Sequence, residues 1–278
     1  MSLRGDGRPM LMGILNVTPD SFSDGGRHFD AGVAVAHGLR MAQEGAGIID
    51  IGGESTRPGA VQVSAADQMR RVLPVLRELC RQLPAGCRIS IDTTRADVAD
   101  AAIAEGASII NDVSAGRDDA GMFDLARRAG ADLILMHMQG SPESMQTAPS
   151  YQNAVREVHV FLMERVRAAE AAGVARDRIA IDPGIGFGKS KLHNLQLLAG
   201  LETLVNTGYP VLLGASRKRF MGSICNITEF SELVGATCAT TALGVLAGVR
   251  VFRVHDIREN RQALDVAWAM TQATSYKS

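Results

Sequence analysis

Polar residues recur at one kind of place in this sequence, the end of a short apolar run. Asn16, Asp50, Asp92, Asn111 with Asp112, His137, Asp182, Ser216-Arg217-Lys218, and Arg253 with His255 and Asp256 each close such a run. One such residue is readily explained as a satisfied buried group or a turn former. A polar terminus on all eight runs is hard to explain by packing. The chemistry falls into three parts. Lys218, Arg253 and His255 are cations suited to phosphate oxygens. Asp92, Asp182 and Asn111 can accept from and donate to a nitrogen heterocycle, and a carboxylate facing adjacent N–H groups makes a bidentate pair. Asn16 carries a neutral oxygen able to ligate Mg2+ beside a diphosphate. Together they point to a phosphorylated, nitrogen-rich ring.

The stretch Asp182-Pro-Gly-Ile-Gly-Phe-Gly-Lys189-Ser190 nearly matches a phosphate-cradling G-x-x-x-x-G-K-[ST] loop. Its first glycine position holds Pro183, which has no N–H to offer a phosphate and cannot take positive φ. A nucleotide-hydrolysing reading is therefore set aside. A close-approach loop, with a flat ligand lying near the backbone, remains.

The residues are positioned by a repeating unit. The apolar runs are 9–17, 47–53, 88–94, 108–114, 132–138, 178–184, 210–216 and 250–256, rich in Ile, Val and Leu without polar alternation. Strands buried on both faces read this way. Helical patterns lie between them: Met122, Leu125, Ala126 and Ala129; Val155, Val158, Leu162 and Val166; and Leu264, Ala267 and Trp268, the last expected to pack on the core. Eight such units within 278 residues predict a single α/β domain, a (β/α)8 TIM barrel spanning 1–278 with residues 1–8 a flexible tail. Longer polar loops, 18–30 and 55–67, follow the first two strands, where a barrel keeps its chemistry and its lids.

Composition narrows the partners. The net charge is −1, so neither a nucleic-acid coat nor a membrane-surface binder is expected, because both need a basic excess. At 4% aromatic residues a base-stacking platform is equally disfavoured. Cys80, Cys87, Cys225 and Cys238 form no C-x-x-C pair or zinc spacing, which fits a reducing, cytoplasmic setting. No stretch is long and apolar enough for a membrane span.

At this point the motifs resemble the dihydropteroate synthase family, the sulfonamide-inhibited enzymes of bacterial folate synthesis. They are Gly13-Ile-Leu-Asn-Val-Thr-Pro-Asp-Ser-Phe-Ser-Asp-Gly-Gly26, Asp50-Ile-Gly-Gly-Glu-Ser-Thr-Arg-Pro-Gly59, Ser90-Ile-Asp-Thr93, Asn111-Asp-Val-Ser114, Leu135-Met-His-Met-Gln-Gly140, Asp182 to Lys189, Ser216-Arg-Lys218 and Arg253-Val-His-Asp256. The resemblance implies a TIM barrel. It also implies condensation of 7,8-dihydropterin-6-methyl diphosphate with p-aminobenzoate, releasing pyrophosphate. Carried over motif by motif, Asp92, Asn111, Asp182 and Lys218 hold the pterin, with Arg253 against its face. Asn16, Arg253 and His255 hold the diphosphate and Mg2+. Thr56, Arg57, Pro58, Phe187 and Lys218 shape the p-aminobenzoate site, Ser216 belongs to the substrate-binding set, and Phe22 and Asp24 belong to the first loop. Asp24, Arg57, Lys218, Arg253 and His255 are the catalytic candidates. The benzoate carboxylate is expected at a helix N-terminus near Lys218.

Two positions depart from the family pattern: Arg219 replaces a common Ser, and Thr94-Arg95 a common Ser-Lys. A non-catalytic pterin-binding paralogue stays the alternative, although Arg57, Arg253 and His255 are all kept. His137 is read as shaping the site, and Asp50 and Asp112 as supporting their neighbours. Small residues over Gly235–Gly248 offer a surface for an expected homodimer.

Overall fold

A computed structural model describes residue 3 and residues 7–18, 31–55, 63–141 and 144–275. Its elements run β1 (Met10–Asn16), α1 (Ala31–Gln43), β2 (Ile48–Gly52), α2 (Ala65–Gln82), β3 (Arg88–Asp92), α3 (Ala96–Ala104), β4 (Ile109–Asp112), α4 (Met122–Ala129) and β5 (Asp132–Met136). They continue α5 (Ala154–Ala171), β6 (Ile179–Asp182), α6 (Lys191–Ala199), α7 (Leu201–Val205), β7 (Leu212–Leu213), α8 (Arg219–Cys225), α9 (Val234–Leu246), β8 (Val251–Val254) and α10 (Ile257–Ser275). All ladders are parallel, in the order β6-β5-β4-β3-β2-β1-β8-β7. The outer edges meet where Ile181 bridges Val211 and its N–H donates to Pro210 C=O at 2.9 Å. This is the expected (β/α)8 barrel. β7 is shorter than the run 210–216, covering only Leu212–Leu213.

Successive strand residues face opposite sides, and the core divides accordingly. Leu11, Leu15, Ile49, Ile51, Ile89 and Ile91 pack outward against the helices. Met12, Ile48, Ile109, Ile134, Ala180 and Val251 fill the lower barrel interior. Leu3 is fully buried among these, Arg8 pairs with Asp265 at 2.8 Å, and Arg250 donates to Gly7 C=O. The described part of 1–8 is therefore docked rather than a loose tail, since Leu3 gains from closing the barrel floor.

The helices follow their apolar stripes. In α2, Val72, Val75, Leu76 and Leu79 face the core, and Ser64 Oγ caps the helix by accepting from Asp67 N–H. The expected loop 55–67 thus ends three residues earlier, at the Ser64 cap. In α4, Met122, Leu125 and Ala126 are buried, while Ala129 in the last turn is exposed. Trp268 is only partly buried against the core.

Candidate active site

The same alternation carries the polar residues inward. From Met12 and Ile48 on the floor, steps of two reach Asn16 and Asp50; the matching positions on β3, β4, β6 and β8 are Ser90 and Asp92, Asn111, Asp182, and Arg253. They lie toward the C-terminal ends of the strands, where a barrel builds its site. Two inward positions are glycines that leave room between them. A Cβ on Gly52 would stand 3.5 Å from Asp92 Cβ and 3.8 Å from Asn16 Oδ1. One on Gly214 would stand 3.8 Å from Asp182 Oδ2.

Arg253 crosses the interior. Its Nε donates to Asp50 Oδ2 at 2.6 Å and its Nη2 to Asp92 Oδ2 at 2.7 Å. Asn111 Nδ2 donates to the same Asp50 oxygen at 3.1 Å. Asp50 is fully buried, and its other oxygen has no protein partner among the described residues. One carboxylate thus orients both a cation and an amide, the supporting role read for it from the sequence. Burial pushes the Asp92 carboxyl up to about 7, with Arg253 opposing the rise.

Asp182 ends β6 and accepts from Gly184 N–H at 2.7 Å. Burial raises it to about 6, against that hydrogen bond and the nearby Lys218 and Arg253 cations. The following loop turns sharply. Gly184 takes φ +64°, and a Cβ there would collide with the His137 carbonyl oxygen. Only glycine meets both demands. Phe187 packs with Val113, Met136, Met138 and Met145, and Lys218 Nζ lies 4.2 Å from its ring centroid.

The Ser216-Arg217-Lys218 run is split three ways. Ser216 Oγ lies 2.9 Å from His255 Nδ1 and accepts from His255 N–H at 3.2 Å. Arg217, held at φ 54°, points away and forks onto Asp256. A non-glycine residue in this region is strained, and here the fork and a backbone bond to Thr237 Oγ1 hold it. Lys218 precedes α8, and exposed Arg219 begins it.

His137 lies on the outward alternation, edge-on to Phe161 at 4.8 Å. Asp112 caps its own turn, accepting from Ser114 and Gly116 N–H. Glu54 Oε2 accepts from Gln68 Nε2 at 2.5 Å. Phe22, Asp24, Thr56, Arg57 and Pro58 lie outside the described residues. Sequence reading passed over buried Gln68, which joins Glu54 to Thr93, and gave no role to Lys189, which meets His137 and Phe187. Lys189 closes the near match to a phosphate-cradling loop, but its buried setting is a tertiary fact.

Inward carboxylates, an amide and a central arginine at a barrel mouth define a class of protein that binds a polar heterocycle. Residues 12–255 match the family described as pterin binding enzyme. A dihydropteroate synthase of Mycobacterium leprae is 47% identical over 269 residues, covering 95% of this chain and 94% of that protein. The structure of a Xanthomonas albilineans dihydropteroate synthase with 4-aminobenzoic acid matches with TM-score 0.89 and 46% identity, covering 98% of this chain and 95% of the other. The structure of that species' enzyme with 7,8-dihydropteroate matches with TM-score 0.86 and 44% identity, covering 98% and 96%. The chain belongs to the pterin binding enzyme family, and within it to the dihydropteroate synthases.

Proposed function

We propose that this chain condenses 7,8-dihydropterin-6-methyl diphosphate with p-aminobenzoate, yielding 7,8-dihydropteroate and pyrophosphate for folate synthesis. The observation that carries this reading is the inward set Asp92, Asn111, Asp182 and Arg253, built on four strands at one mouth. Asp182 as a carboxylate accepts from the adjacent N–H groups of the pterin, and Asp92, Asn111 and Lys218 complete the ring's contacts. Arg253 lies against the ring face, fixed there by Asp50 and Asp92.

The reaction breaks the bond from the pterin methylene to the diphosphate oxygen, and the electron pair leaves with the diphosphate. The methylene cation left behind is conjugated into the ring. The aryl amine then forms the C–N bond and loses a proton. Arg253 and His255 offset the departing charge, and Ser216 orients the His255 ring through Nδ1. Thr56, Arg57, Pro58, Phe187 and Lys218 hold p-aminobenzoate, with its carboxylate toward the start of α8. Phe22, Asp24 and Arg57 stand in the loops that exclude water around a weak nucleophile.

Among the described residues no three His, Cys, Asp or Glu cluster as a metal cage. That suits Mg2+, which keeps waters and binds through substrate phosphates. Asn16 Oδ1, lining the mouth beside Asp92, would hold it, and the ion would neutralise the leaving diphosphate. We place the enzyme in the cytoplasm, in keeping with its unpaired thiols, and no described helix is long and apolar enough to cross a membrane.

We also infer a homodimer. A groove of about 440 Å³ between α9 and α10 is lined by Ala242, Leu246, Val266 and Met270, the last three exposed. A two-fold pairing lets such a patch bury itself.

The test is pyrophosphate release with the pterin diphosphate and Mg2+, with and without p-aminobenzoate. Release that requires p-aminobenzoate and matches dihydropteroate formed is expected. Tight pterin binding with no product would favour the paralogue instead.

A further inference from the structure

Lys189 is a fully buried amine whose three hydrogen-bond partners are all uncharged. Its Nζ donates to Phe187 C=O at 2.9 Å and His137 C=O at 3.2 Å, and stands 2.9 Å from His137 Nδ1. Burying an ammonium without a carboxylate in contact is costly, so the site must gain something from it. Burial first, then the Lys189 charge, holds His137 down to about 2. The ring is therefore neutral, and Nδ1 offers its lone pair to Lys189. Burial, with Lys218 adding to it and Asp182 opposing, lowers Lys189 itself to about 7.

The geometry of these contacts is a strut. One end is His137, directly after β5. The other is the carbonyl of Phe187, inside the loop that leaves β6. Other ties hold the flanks of this loop: Gln146 Nε2 donates to Gly186 C=O at 2.6 Å, Gly186 N–H to Asn194 Oδ1 at 2.7 Å, and Tyr151 Oη to Gly188 C=O at 2.8 Å. Phe187 N–H donates to Gly184 C=O at 3.0 Å, and Lys189 is the side chain that holds the Phe187 carbonyl. A pinned carbonyl sets the direction of its own side chain, and the Phe187 ring in turn carries Lys218 Nζ. The strand residues Asp92 and Asn111 are held by partners outside this loop, whereas Asp182 accepts from Gly184 within it and lies close enough to feel the Lys189 charge.

We propose that Lys189 is a positioning residue for p-aminobenzoate, acting through the backbone and ring of Phe187. The inference rests on the reading of Phe187 and Lys218 as walls of the p-aminobenzoate site.

The test is a double-mutant cycle of Lys189→Met and Phe187→Ala in the intact chain. Lys189→Met should raise KM for p-aminobenzoate about tenfold, as expected when a charged donor is lost from buried carbonyls. Its kcat should change less than about threefold, and its Kd for the pterin diphosphate, by calorimetry at pH 8 without p-aminobenzoate, less than about threefold, because at that pH Lys189 is mostly uncharged and its loss alters the field at Asp182 little. In the Phe187→Ala background, Lys189→Met should add nothing further to KM. Equal effects in both backgrounds, or pterin Kd rising in step with KM, would show a merely structural lysine and overturn the proposal. Phe187→Ala with unchanged KM would overturn the assignment of Phe187, and the route through it. Should Lys189→Met fail to fold, Lys189→Gln has an arm too short to span both carbonyls; unchanged KM in that folded variant also overturns the proposal.

Discussion

Asp182 and Asp92 share a mouth but titrate from different surroundings. Asp182 is raised to about 6 chiefly by burial, and it must be ionised to accept from pterin N–H groups. Pterin affinity should therefore weaken as pH falls through about 6, which calorimetry between pH 5 and 8 reads directly. Asp182→Ala leaves buried pterin donors unpaired and should cost about 3 kcal/mol, roughly a hundredfold in Kd; an unchanged Kd would remove the assignment. Lys189 brings the opposite sign to stability. Its folded pKa of about 7 lies below the ordinary 10.5, so the unfolded chain holds more protons between those values. Stability from this group rises with pH across that window, and denaturant titrations of Lys189→Met should lack the rise. Asp92 and Asp182, raised in the fold, favour folding below pH 4 and lose that contribution as pH passes about 6 to 7.

At the scale of elements, the loop after β6 and the run after β7 do what strands cannot. The loop needs Gly184 at φ +64° against the His137 carbonyl. Gly184→Ala should destabilise by about 2 kcal/mol or more, seen as a lower urea midpoint, because strain and collision add. After β7, three consecutive polar residues diverge to His255, Asp256 and Phe187, so a run resembling one basic patch becomes three separate devices. Arg57, in the second loop, is assigned to closure over the acceptor. Arg57→Ala should lower turnover several-fold with pterin Kd unchanged; lost pterin binding with preserved turnover of bound substrate would contradict a lid.

Across the whole molecule, the barrel separates stability from chemistry by depth. The floor carries Leu3, Met12, Ile48 and Val251, with Arg88 clamped to Asp132 at 2.7 Å, while the mouth carries the inward carboxylates. The outer face of α9 and α10 exposes Leu243, Leu246, Val266 and Met270. Leu246→Glu would bury a charge in any two-fold pairing there. Sedimentation should show a shift from dimer to monomer, with pterin Kd retained because the mouth lies elsewhere; a wild-type monomer would refute the pairing.

The sequence by itself determined the eight-unit barrel, because buried parallel strands need continuous apolar runs and the chain has eight of them in alternation with helices. It also placed a polar residue at the end of each run, and a period of two aims Asn16, Asp50, Asp92, Asn111, Asp182 and Arg253 inward, whereas His137, one position out of phase, faces the helices. Asp50 was read only as supporting its neighbours; that it holds both Arg253 and Asn111 is a tertiary fact. Only the tertiary structure decided how those residues are held. The fork of Arg253 onto Asp50 and Asp92, the docking of Leu3 and the strut of Lys189 between β5 and the next loop all join residues far apart in the chain. Such contacts depend on barrel closure and strand register, which no local pattern of residue types encodes.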